Sequence, residues 1–139
     1  MSSVTILLAN ERAEIQRLGE LCERFGADER LSDEEVMSIN LVLDELVTNI
    51  IDYGFEDAGR HEIRVTMGVE GHTLTIEIED DARAFDPLAA PPPDLTLPLE
   101  DRPVGGLGIH IVRTVMDAVE YQRRDGHNIL TMRKTIGRT

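Results

Sequence analysis

The stretch DELVTNIIDYGF, residues 44–55, carries side chains whose types and spacing suit metal and phosphate chemistry. At about 100° per residue, Glu45, Asn49 and Asp52 fall within a narrow arc of one helix face. Ile39, Leu43, Leu46 and Ile50 form an apolar stripe on another face. One face can anchor the helix while the other meets a ligand. Mg²⁺ keeps several waters and is usually held by one or two protein oxygens plus substrate phosphates, so one Asn carbonyl oxygen is a sufficient protein ligand. A carboxylate one turn earlier is placed to orient or deprotonate an attacking hydroxyl or water. The same residues equally suit the solvated face of an ordinary amphipathic helix, so the rest of the chain has to decide.

Composition narrows the choice of ligand. The 139 residues are enough for one domain with a real core, and 41% apolar residues argues against disorder. Fourteen basic against 27 acidic residues give a net charge of −13, which repels nucleic-acid backbone and anionic membrane alike. A polyanionic ligand must therefore bring a cation or meet oriented backbone N–H groups. With Cys22 as the one cysteine, neither an intramolecular disulfide nor a cysteine metal cage can form. No stretch resembles a signal peptide or a spanning helix, so a cytoplasmic location is expected. His61, His72, His110 and His127 show no ligand spacing and are expected at the surface or at edges.

The elements that must position these residues follow in order. Val4 to Ala9 reads as a strand, although a buried helical turn has the same short apolar pattern. A helix is expected from Asn10, with Ile15, Leu18, Cys22 and Phe25 on its buried face and Gly26 as its stop. Ser32 and Glu35 have capping-box spacing and open the central helix, which is expected to reach about Tyr53 and end at Gly54. Ile63, Val65, Met67 and Val69 alternate with polar residues, the chain turns at Glu70-Gly71, and Leu74, Ile76 and Ile78 alternate again. This hairpin runs straight into Glu79, Asp80 and Asp81. All six prolines lie between Pro87 and Pro103, so that segment is irregular and serves either as a lid or as a passive connector. Gly105 to Ala118, GGLGIHIVRTVMDA, then opens a largely buried helix. Its glycines let backbone N–H groups approach an anion at the positive end of the helix dipole. The run is neither a Walker A loop nor a dinucleotide fingerprint. Val119 to Arg124 and Asn128 to Lys134 close the chain as a hairpin turned at Asp125-Gly126. The expected fold is an α+β two-layer sandwich: a mostly antiparallel mixed sheet with helices on one face, as a single domain over 1–139.

The ordered set is more specific than its members: DELVTNIIDYG on a helix, EDDARAFDP at a strand end, then GGLGIHIV opening a helix after a pliable loop. Together they resemble the ATP-binding domain shared by histidine kinases, gyrase and MutL, the Bergerat or GHKL fold. Within that superfamily, the small size, the FDP after the acidic turn and the glycine-led helix are similar to the anti-sigma factor serine/threonine kinases.

The resemblance implies ATP and Mg²⁺ as cofactors and assigns roles by position. Asn49 matches the Mg²⁺ ligand, and Glu45 the acidic residue proposed to activate the attacking hydroxyl. Asp80 matches the acceptor for the adenine amino group, with Ala82 in the same adenine-binding turn. The backbone of Gly105, Gly106, Leu107 and Gly108 matches the phosphate-contacting segment, and Pro87 to Pro103 matches the ATP lid. Two positions depart from the pattern. Ala82 stands where the family has glycine, and Tyr53 where a histidine often follows the Asn by four. If the turn needs a positive φ at Ala82, its Cβ costs about 1–2 kcal/mol.

The implied function is phosphorylation of a Ser or Thr on an antagonist, anti-anti-sigma-like protein, with a sigma factor as a further partner and a homodimer through an apolar edge at Val4 to Leu8. Two alternatives stay open: a protein-interaction module without kinase activity, which Ala82 favours, and the catalytic domain of a split histidine kinase.

Overall fold

In the computed structural model, residues 2–55, 57, 59–89 and 106–137 are described. Strand β1 spans Ser2–Ala9, helix α1 Glu14–Asp28 and helix α2 Asp33–Asn49, which continues into a π-helical turn at Ile50–Gly54. The hairpin β2 (Glu62–Glu70) and β3 (Thr73–Asp80) follows. A 3₁₀ turn at Pro87–Ala89 precedes helix α3 (Gly106–Val115), and strands β4 (Ala118–Arg124) and β5 (His127–Thr135) end the fold. The strands form one sheet in the order β1-β2-β3-β5-β4. Every pairing among them is antiparallel, so the parallel component implied by a mixed sheet is not found among the described strands.

Strand alternation decides which side of the sheet the helices cover. Ile63, Val65, Met67 and Val69 of β2 lie opposite Asp80, Ile78, Ile76 and Leu74 of β3. These apolar side chains join Leu130 and Met132 of β5 and the buried residues of α1, α2 and α3 in one core. The reverse face is mostly polar. There Thr5 meets Thr66 at 3.2 Å, Arg64 meets Glu79 at 3.5 Å and Arg133 meets Glu120 at 3.4 Å. This is the expected two-layer α+β sandwich.

The capping box at Ser32 is present in both directions, Ser32 N–H to Glu35 Oε1 at 2.9 Å and Glu35 N–H to Ser32 Oγ at 3.1 Å. The closing hairpin turns at Asp125 and Gly126 with φ of 53° and 79°, the left-handed pair that matches strand twist. The first hairpin turns at Gly71-His72, one residue later than expected, with Gly71 at φ 62°.

Helix α1 departs from expectation at both ends. It starts at Glu14 instead of Asn10 because the Asn10 side chain is engaged elsewhere, accepting from His61 N–H at 3.0 Å and donating to Gly59 O at 3.1 Å. It also runs through Gly26 to Asp28. The stop is a Schellman closure in which Leu31 N–H reaches Gly26 O at 2.8 Å and Arg30 N–H reaches Ala27 O at 3.3 Å, with Arg30 at φ 58°. Gly26 serves helix contact instead: a Cβ there would lie 2.3 Å from Val36 Cγ2 on α2. Helix α3 likewise ends at Val115, short of Ala118, because Asp117 N–H bonds Arg133 O on β5 at 2.9 Å.

Val36 is β-branched and stiff at χ1, so Gly26→Ala must push α1 and α2 apart. A loss of about 1–3 kcal/mol is expected. Urea unfolding should show a lower midpoint, and an unchanged midpoint would mean that the two helices separate without cost.

Candidate functional site

The alternation that builds the core also carries a carboxylate into it. Leu74, Ile76, Ile78 and Asp80 share the helix-facing side of β3, and Asp80 is only 4% exposed. It lines a cavity of about 320 Å³ together with Ile78 and Leu130. Asn49 of α2 lines the same cavity, as do Tyr53 and Gly54 of the π-helical turn and Ala82, Arg83 and Phe85 after β3. An apolar concavity with a few converging polar groups is the usual form of a small-molecule site.

Asp80 is held from two directions. Ala82 N–H and Asn128 Nδ2 both donate to its Oδ1 at 3.0 Å. Burial pushes the Asp80 carboxyl above the ordinary carboxylate range, and these two hydrogen bonds oppose that rise. Asn128, 7% exposed, faces Asp80 directly across the β3–β5 ladder. Its Nδ2 also donates to Arg83 O at 2.9 Å, while its Oδ1 accepts from Tyr121 OH and from Phe85 N–H at 3.3 Å. The amide thereby uses both faces of its hydrogen-bonding capacity. Arg123 adds a bond from Nη1 to Ala82 O at 2.8 Å. Three residues of the last hairpin, Tyr121, Arg123 and Asn128, therefore secure the segment that follows Asp80. Sequence reasoning missed all three. The one signal was the register that a hairpin turned at Asp125-Gly126 imposes, which sets Asn128 beside Arg123.

Ala82 is 4% exposed and does not adopt a positive φ; among the described non-glycine residues only Arg30 and Asp125 do. The strain considered for it is absent. Room for its methyl comes from across the cavity, where a Cβ added at Gly54 would lie 3.0 Å from Ala82 Cβ. Arg83 N–H donates to Gly54 O at 3.1 Å and joins the two walls at that point.

The expected arc of Glu45, Asn49 and Asp52 is broken. Helix α2 loses its α-helical register at Ile50, where the π-helical turn packs more residues per turn. Asp52 is taken by Arg12, with a fork of 2.9 Å and 2.6 Å. Glu45 is half-buried one turn before Asn49 and does not line the cavity. Gly106, Leu107 and Gly108 form the first turn of α3, whose N–H groups have no partners within the helix. Gly105 and the segment 90–103 of the expected lid lie outside the described residues; before that segment, Arg113 Nη2 bonds Leu88 O at 2.6 Å. Among the described residues no cluster of three or more His, Cys, Asp or Glu is arranged to hold a metal. No helix among them is long and apolar enough to cross a membrane.

Residues 8–134 match the histidine kinase-like ATPase domain family, and the chain belongs to it. Among individual proteins it is similar to the serine/threonine-protein kinase BtrW of Bordetella bronchiseptica, 33% identical over 110 residues that make up 79% of this chain and 78% of that one. It is also similar to the serine-protein kinase RsbW of Bacillus thuringiensis, at 29% identity over 76% of this chain and 67% of the relative. The fold matches the crystal structure of the RsbU and RsbW domains of a Mycobacterium tuberculosis protein, with a TM-score of 0.72 at 12% identity. That match covers all of this chain and 34% of the other. The blue-light activated histidine kinase of Erythrobacter litoralis gives a TM-score of 0.61 at 15% identity, covering 86% of this chain and 40% of that one.

The raised carboxyl of Asp80 has a consequence for the free protein. A carboxyl with a folded-state pKa above its unfolded value takes up a proton on folding, so stability is lost as pH rises from the ordinary carboxylate range through the folded value. Asn at this position keeps an oxygen acceptor for Ala82 and Asn128 without the buried charge. Asp80→Asn should therefore be more stable than the parent at pH 7, with the gap closing near pH 4. Urea unfolding at both pH values checks this, and a gap that does not change with pH would contradict it.

Proposed function

We propose that this chain binds Mg-ATP and transfers the γ-phosphoryl group to a Ser or Thr of an antagonist protein of the anti-anti-sigma type. One observation carries the proposal: a buried carboxylate, Asp80, and an uncharged oxygen donor, Asn49, line one apolar cavity in a histidine kinase-like ATPase domain. In a chain of net charge −13, a carboxylate lining the cavity suits a neutral base bearing an N–H donor and repels phosphate. Asp80 then accepts from the adenine amino group. Tyr53 and Phe85, 49% and 51% exposed at the cavity, offer ring faces that a bound base would cover.

The phosphates fall to other parts of the chain. Asn49 is the residue that would hold Mg²⁺ through its side-chain oxygen, and the bound metal would supply neutralisation of the charge that develops on the transferred group. The backbone N–H groups of Gly106, Leu107 and Gly108 in the first turn of α3 complete the phosphate site. Glu45 orients the acceptor hydroxyl and takes its proton. A sigma factor as second partner, a homodimer along the free edge of β1 and a cytoplasmic location belong to the same proposal. Leu7 on that edge is exposed.

The position of Glu45 favours a second reading, because it does not line the cavity. On that reading the domain binds nucleotide and regulates by protein contact without transferring phosphate.

Two substitutions test the proposal and separate the readings. Asn49→Ala removes the metal ligand, and calorimetry should show ATP binding that no longer responds to chelator. Glu45→Gln should bind ATP as the parent does while phosphoryl transfer to an antagonist recovered with Mg-ATP slows about a hundredfold or more. Transfer at the parent rate by Glu45→Gln would remove its role as base. If the parent itself holds that antagonist without phosphorylating it, the second reading stands.

A further inference from the structure

His61, expected at the surface or at an edge, has a side chain 19% exposed and does not line the cavity. Its ring stacks on Phe55, with centroids 4.3 Å apart and planes 14° from parallel. Nε2 lies 2.9 Å from Asp57 Oδ1, and Nδ1 lies 3.1 Å and 3.3 Å from the two oxygens of Asp81. Its backbone is fixed by Asn10, which accepts from His61 N–H at 3.0 Å and donates to His61 O at 3.1 Å. Phe55 directly follows the wall residues Tyr53 and Gly54, and Asp81 stands between Asp80 and Ala82.

Charge decides whether this bridge is whole. A neutral imidazole has one N–H and a cationic one has two, so only the cation donates to both carboxylates. The ionisable groups facing the ring are Asp57 from its own loop and Asp81 from the end of β3. Asp81 also acts on Asp80, raising its carboxyl, while Arg123 lowers it. The hydrogen bond to Asp57, foremost, and the bond to Asp81 push the His61 midpoint above its ordinary value, with burial opposing them.

We infer that His61 is a positioning residue of the nucleobase pocket: its ring, bridging Asp57 and Asp81 with Phe55 against its face, holds the Tyr53–Phe55 wall to the Asp80–Ala82 wall. The inference rests on the nucleotide-binding proposal above. The Gly54–Arg83 backbone bond joins the same walls regardless of pH, so the pocket persists when His61 is neutral but is less tightly held. Nucleotide affinity should therefore be highest while the ring is cationic and fall as pH rises through the His61 midpoint. By reciprocity, bound nucleotide must raise that midpoint.

The test uses the whole chain, with ADP as the probe. His61→Gln cannot titrate and has one donor group for two carboxylates. The parent should bind ADP about fivefold more tightly than His61→Gln at pH 6, and the ratio should fall as pH rises to 8.5. Taking the ratio cancels the titration of ADP itself. The imidazole of His61, followed by NMR in the parent, should titrate at higher pH with ADP than without. Should His61→Gln fail to fold, Asp81→Asn keeps the imidazole and removes one charged partner. The fall in its ADP affinity should then come at lower pH than in the parent. A ratio constant from pH 6 to 8.5, or a His61 midpoint that ADP leaves unmoved, overturns the inference while the parent still binds ADP. Absence of ADP binding by the parent at pH 6 overturns the nucleotide proposal and this inference with it.

Discussion

The structure depends most on the cost of burying the Asp80 carboxylate and on the bonds that offset that cost. A charge in an apolar cavity is tolerated only when hydrogen bonds replace the lost water. Here Ala82 N–H and Asn128 Nδ2 supply them at 3.0 Å each. Asn128 in turn engages Tyr121, Arg83 and Phe85, so the last hairpin, the end of β3 and the approach to Pro87 are secured by one amide. A half-satisfied polar network of this kind would be worse than an apolar core. Keeping a carboxylate there points to a ligand whose N–H it receives.

The second constraint is the spacing between the cavity walls. The π-helical turn at Ile50–Gly54 ends α2 and places Tyr53 and Gly54 opposite Ala82 and Arg83. The walls approach closely: a methyl group added at Gly54 would lie 3.0 Å from that of Ala82, tighter than ordinary carbon contact. Arg12, by taking Asp52, ties this turn to the start of α1. Local departures from regular helix are frequent at functional sites because they re-aim side chains that regular geometry would send elsewhere.

Much of this was legible in the sequence where periodicity and burial agree. The alternation of Leu74, Ile76 and Ile78 marked the buried face of β3, on which Asp80 is found, and the Ser32–Glu35 pair marked the start of α2. What was not legible depends on contacts distant in sequence or on small changes of backbone register. Asn128 looks ordinary after a turn, and its carboxylate partner is 48 residues away. Asp52 fits the arc of Glu45 and Asn49 only if the helix stays regular past Ile50. Gly26 has the composition of a helix stop, yet its use is to let Val36 approach. His61 shows no ligand spacing along the chain, and its partners converge only when the 57–61 loop meets the end of β3. Ala82 looked costly only on the premise of a positive φ, which its backbone does not adopt.

The central claim is that Asp80 receives an N–H from a nucleobase, and the most direct measurement compares ATP with purine riboside triphosphate. The two differ only at the base, where the adenine amino group is replaced by hydrogen and the ring nitrogens, sugar and phosphates stay the same. A site built to accept that hydrogen would be left with an unpaired carboxylate, so the analogue should bind at least about a hundredfold more weakly than ATP. Equal affinities for the two nucleotides in calorimetry at saturating Mg²⁺ would contradict the account.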